Sequence, residues 1–119
     1  MVRTPDITEY LNVALKGMSL RQSAIANNIA NLSTPGYRRH TVAFEKQLAE
    51  AIASGKLDDL KNLEMEVTQP RNTPLGENGN DVDLDTEIGE LIRNTGIYKT
   101  YLRLLSKLYR QMAAAIESK

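Results

Sequence analysis

The chain has no cysteine, no tryptophan, a single histidine and only six aromatic residues among 119. Without cysteine there is no disulfide, no thiolate nucleophile and no Cys-based zinc site, and a lone imidazole at His40 leaves carboxylates as the other ligands for any metal. So few rings exclude a core built around large aromatic side chains, so the core is expected to be aliphatic and helical. Fifteen basic and fifteen acidic residues cancel, which leaves no whole-chain field to hold nucleic acid or an anionic membrane. No apolar run approaches the roughly 18 residues of a membrane span. The first residues lack the apolar segment and cleavage site of a secretory signal, so the mature chain is expected to begin at or near Met1. A cysteine-free chain suits the cytosol and an oxidising space equally.

What the sequence does carry is a heptad pattern at each end. Thr4-Pro5-Asp6 reads as a helix start, with Thr4 as the cap and Pro5 in the first turn. Leu11, Leu15, Met18, Gln22, Ile25, Ile29 and Leu32 then recur at spacings of four and three, the stripe of a coiled coil. Gln22 is its polar interruption, and Gly17 is a weak point inside the helix. Ser33-Thr34-Pro35-Gly36 stops the helix, and Thr34 to Tyr37 fits a type II turn, with Pro35 presetting one angle and Gly36 accepting a positive one. Phe44 to Ala53 predicts a short amphipathic helix closed by Gly55. Leu63 to Thr68 alternates as a short strand would, and Pro70, Pro74, Gly76 and Gly79 then break regular structure. The final segment is the most periodic: Leu84, Ile88, Leu91, Thr95, Tyr98, Leu102, Leu105, Tyr109, Met112 and Ile116 keep the same alternation. Its acidic start, Asp81 to Glu90, and its basic later turns match the helix dipole.

The fold expected is therefore mainly α: long N- and C-terminal helices packed as a coiled coil, with an irregular middle containing a short helix and a small extended arm. One domain spans 1–119, with the N-terminal helix over 1–33, turn and middle over 34–80, and the C-terminal helix over 81–119. Two aliphatic stripes offer little burial for so much ordered helix. Neighbouring chains are expected to cover what one chain leaves open, which points to assembly and not to chemistry.

Other residue groups give blander readings. Asp81, Asp83 and Asp85 open like a calcium loop, but Thr86 stands where that loop needs glycine and Ile92 where it needs glutamate, so helix capping is expected and no metal. Arg38, Arg39 and His40 read as a solvated basic loop with no catalytic constellation around them. Lys99, Arg103 and Lys107 form a basic stripe that meets an acidic neighbour or faces water. Asn27, Asn28 and Asn31 either cap free carbonyls or hydrogen-bond across an interface. No catalytic or cofactor-binding residue is expected.

Ala26-Asn27-Asn28-Ile29-Ala30-Asn31 followed by Thr34-Pro35-Gly36-Tyr37 resembles the N-terminal signature of the bacterial flagellar axial proteins, the rod, hook and hook-associated subunits. The short chain and its segment Gly79-Asn80-Asp81-Val82-Asp83-Leu84-Asp85 before the last helix are similar to the proximal rod members. The resemblance implies a structural subunit of the proximal rod that joins the inner-membrane base of the flagellum to the growing rod. It also implies export through the type III apparatus without signal cleavage and a periplasmic place in the basal body. Its partners would be other rod subunits, base components and the export apparatus. Stripes and signature together name the assembly candidates Leu11, Leu15, Met18, Ile25, Asn27, Asn28, Ile29, Asn31, Pro35, Gly36, Tyr37, Leu84, Ile88, Leu91, Tyr98, Leu102, Leu105, Tyr109 and Met112. The alternatives are a soluble helical adaptor or export chaperone binding one partner helix, or a sibling rod subunit.

Overall fold

Asp6, not Thr4, starts the first helix. Its side chain accepts from the Glu9 amide at 3.1 Å while the Glu9 carboxylate accepts from the Asp6 amide at 3.2 Å. This reciprocal box requires an acid three residues on, which Thr4 lacks. The computed structural model describes residues 3–118; Met1, Val2 and Lys119, which the expected terminal helices included, lie outside the described residues. The elements are α1 (Ile7–Ala30), β1 (Thr41–Ala43), α2 (Glu45–Ser54), α3 (Leu57–Lys61), β2 (Glu66–Thr68) and α4 (Leu84–Glu117). The fold is mainly α, as expected, with the two long helices packed antiparallel.

Helix α1 carries two adjacent stripes. Leu11 and Leu15 pack against Leu105, Tyr98, Tyr101 and Leu108 of α4. The second stripe, Ala14, Gly17, Arg21, Ala24 and Asn28, repeats the same three-four spacing and turns toward β1 and α2. Its small residues let Phe44 approach: a Cβ built on Gly17 would stand 2.7 Å from the Phe44 ring. The expected weak point is therefore a packing requirement, and Phe44 is 1% exposed because of it. Arg21 lies over the same ring at 4.9 Å, reaches the Val42 carbonyl at 2.6 Å and pairs with Glu45.

The middle folds onto this side. Helix α2 ends at Gly55, whose φ of 66° makes the left-handed cap that ordinary residues resist. The expected strand narrows to β2, which pairs antiparallel with β1 so that Val42 faces Val67. Neither β1 nor α3 was legible in the sequence.

On α4 the inward stripe is Glu87, Leu91, Asn94, Tyr98, Tyr101, Leu105 and Leu108, again at four-three spacing. The expected seam is displaced from it by one residue at alternate positions. Only Leu91, Tyr98 and Leu105 belong to both, while Leu84, Ile88, Leu102, Tyr109 and Met112 are exposed. Polar side chains hold the inward positions. Asn94 donates to the Met18 carbonyl at 2.9 Å and to Gln22 at 2.8 Å, and Gln22 donates to Thr95 at 3.2 Å. Gln22, the interruption in the first stripe, is thus answered across the hairpin, and such a polar rung fixes register.

At about 1.5 Å per residue α4 is roughly 51 Å long against 36 Å for α1, so its last turns run past the partner helix and every residue from Tyr109 to Ser118 is exposed. The molecule measures 66 × 29 × 16 Å with a radius of gyration of 18.0 Å, where a compact chain of this length has about 13.5 Å. No helix among the described residues is long and apolar enough to cross a membrane.

Candidate assembly site

The Asn-rich end of α1 is a clasp that closes on the start of α4. Asn28 is fully buried and uses all of its hydrogen-bonding capacity. Its Nδ2 donates to the His40 carbonyl at 2.8 Å and to Glu87 Oε2 at 3.1 Å, while its Oδ1 accepts from the His40 amide at 2.9 Å and the Tyr37 hydroxyl at 3.0 Å. Arg39 completes the set, with Nε 2.7 Å from Glu87 Oε1 and its amide 2.6 Å from Asp81 Oδ1. Arg38 Nη1 stands 3.5 Å from Asp81 Oδ2, an ion-pair distance at which no hydrogen bond is formed. Two buried carboxylates thus face two arginines, the pairing that makes buried charge tolerable.

The turn is tied down from the other side. The Tyr37 amide donates to the Thr34 carbonyl at 3.3 Å and Gly36 has φ 73°, as a type II turn requires. Asn80 Nδ2 donates to the carbonyls of Asn31 and Thr34, each at 2.8 Å, and Gly36 donates to the Asn78 carbonyl at 2.9 Å. The Asn27 and Asn31 carbonyls at the end of α1, each already accepting from a backbone amide, thus gain second donors, the first from Asn31 Nδ2 at 2.8 Å and the second from Asn80, 49 positions beyond Asn31. Burial, then the negative charges of Glu87 and Asp81, hold the Tyr37 phenol above its ordinary value.

Beside the clasp, α4 presents an outer apolar stripe of Leu84, Ile88, Leu102 and Tyr109, each between 38% and 47% exposed. It lies next to the inward stripe and no described residue buries it, although the Tyr109 hydroxyl accepts from Asn12 of α1 at 3.3 Å. Exposed apolar rows of this kind on soluble proteins commonly mark contact surfaces.

Residues 11–38, which comprise most of α1 and the turn, match the family described as flagella basal body rod protein. A protein of Borreliella burgdorferi, flagellar basal body rod protein FlgB, is 34% identical over 107 residues, covering 75% of this chain and 76% of that one. The protein of the same name from Borrelia hermsii is 33% identical, with 91% and 90% covered, and that of Bacillus subtilis is 26% identical, with 91% of each covered. The chain belongs to the flagellar basal body rod protein family.

The rod-family signature thus maps onto the clasp. Asn28 is internal, Asn31 is a half-buried cap, and Asn27, Pro35 and Gly36 are exposed, with Tyr37 and Ile29 half-buried. Leu11, Leu15, Met18 and Ile25 are buried inside the subunit. Arg38, Arg39 and His40 are no solvated loop: Arg39 is 9% exposed because it answers Glu87. Asp81 and Glu87, expected as dipole-matching acids at the helix start, are instead the buried halves of ion pairs, and α4 begins after both Asp81 and its cap Asp83. Asn80, Asp81, Glu87 and Asn94 escaped sequence reasoning. For Glu87 and Asn94 the signal available was polarity one residue off the apolar seam, whereas Asn80 and Asp81 precede α4 and carry no periodic signal.

Proposed function

We infer that this chain is a structural subunit of the flagellar rod in the basal body and not an enzyme. Family membership supports this, and the observation that carries the mechanism is the outer stripe of α4. A long helix locked in register to its own partner helix keeps an apolar row outward, and neighbouring subunits cover that row on assembly. The clasp sets the angle and register of the two helices, so the outward row has one fixed shape in every copy.

The finer reading is that the subunit sits in the proximal rod, joins the inner-membrane base to the rod, and reaches the periplasm through the type III export apparatus. The resemblance of its Asn-rich turn and of its Gly79–Asp85 segment supports this placement, and the absence of cysteine suits it. Among the assembly candidates, Leu84, Ile88, Leu102, Tyr109 and Met112 are those positioned for contact with other subunits. Imaging of basal bodies carrying a labelled copy tests the reading: label at the base of the rod supports it, and label confined to small soluble complexes supports an adaptor instead.

A further inference from the structure

The middle of the chain holds an acidic groove. Glu50, Asp59 and Glu64 line it together with Gln47 between α2 and α3. Gln47 Oε1 is shielded from solvent and has no donor among the described residues. Three of the lining side chains are carboxylates and a fourth end is this unanswered amide oxygen, with donors only on the amides of Gln47 and Asn62, so the groove favours a donor-bearing cation. A metal ion is the wrong occupant, since among the described residues no group of three carboxylates or imidazoles converges closely enough to hold one.

The complementary feature lies on α4. Between Leu91 and Ile116 the charged residues are Arg93, Lys99, Arg103, Lys107 and Arg110, with no acid among them. All five are exposed, and none pairs with a carboxylate among the described residues. At about 100° per residue, Lys99, Arg103, Lys107 and Arg110 cluster on one flank of the helix. Tyr98 and Tyr101, which pack against the core on the groove's side of the hairpin, lie nearly opposite that flank. Within the molecule no ion pair joins the basic flank to the groove among the described residues.

Resting on the rod reading, we propose that the basic flank of α4 in one copy docks on the acidic α2–α3 groove of the next. Arg103 and Lys107 supply the donors, and Ile52, 53% exposed on α2, meets the apolar row beside them. Met head to tail, two different faces form a heterologous contact, which propagates from copy to copy where an isologous one closes as a two-fold dimer. Exposed pairs of this sort set register and partner choice and are sensitive to salt.

The test uses the full-length chain in sedimentation at about 0.1 M salt, where the screening length is about 10 Å. The wild type is expected to self-associate with rising concentration. The doubly reversed variants R103E/K107E and E50K/D59K are each expected to lose association by about tenfold or more. An equimolar mixture of the two variants is expected to recover it, since each then offers the face the other needs. Circular dichroism of each variant confirms that the fold is retained. Absence of self-association in the wild type, indifference to the reversals, failure of the mixture to recover, or pelleting of the wild type with anionic vesicles in its place overturns the proposal. Motility separates this from the rod reading: a strain lacking the chain that is rescued fully by R103E/K107E keeps the rod role and removes the contact.

Discussion

Asn28 and Glu87, 59 residues apart in the sequence, meet inside the hairpin with neither side chain exposed, joined Nδ2 to Oε2 at 3.1 Å. The family signature is thus spent on internal order: it pins the end of α1 to the first turn of α4, while Leu84, Ile88, Leu102 and Tyr109 on the outer face of α4 stay exposed.

Removing one side of this cluster strands the other. Glu87→Ala leaves the Arg39 guanidinium buried without its carboxylate, and the expected loss is about 3–5 kcal/mol. Asn28→Ala strips partners from both the amide and the carbonyl of His40 and is expected to lose about 1–3 kcal/mol. Urea unfolding reads both as lower midpoints at unchanged slope.

Gly17→Ala raises intrinsic helix propensity by about 1 kcal/mol, yet the added methyl meets the Phe44 ring at 2.7 Å. Overpacking of about 1–3 kcal/mol wins, so the variant is expected to melt lower than the wild type. Pairing it with Phe44→Leu restores room and is expected to recover part of the difference.

Leu105 and Leu102 are expected to separate folding from assembly. Leu105 is 6% exposed and Leu102 43%. Leu105→Ala is expected to destabilise the isolated chain by about 2–5 kcal/mol. Leu102→Gln is expected to change it by about 1 kcal/mol or less, while reducing rod formation and motility in cells.

Tyr37 gives the chain an alkaline limit. Its phenol is held above 10.0 by burial and by Glu87 and Asp81, so the folded state favours the neutral form. That stability is complete below pH 10, the unfolded value, and falls as pH rises toward the folded one. Thermal melts across this range are expected to show the decline in the wild type and a shallower one in Tyr37→Phe.

The sequence made the two long helices legible because aliphatic residues at four-three spacing leave one strong stripe. The turn at Pro35-Gly36 was legible for a different reason, since those two residue types admit few other backbones. Leu102 and Tyr109 misled because the strongest aliphatic row of α4 is the outer one, while the inner row is occupied by Glu87, Asn94 and Tyr101. Polar residues sit inside only where a distant partner answers them, and periodicity carries no record of Asn28, Gln22 or Arg39 as those partners. Ala14 and Ala24 add nothing to the stripe and Gly17 reads as a weak point, because the role of all three is to leave space for Phe44.

The absence of cysteine from the chain makes the central claim directly measurable. Single cysteines at Leu102 and Leu105, labelled with a maleimide in the isolated chain and again in purified basal bodies, report which stripe neighbours cover. The account predicts that position 102 reacts readily in the isolated chain and is protected in the basal body, with position 105 protected in both. Equal, rapid labelling of position 102 in the two states would contradict it.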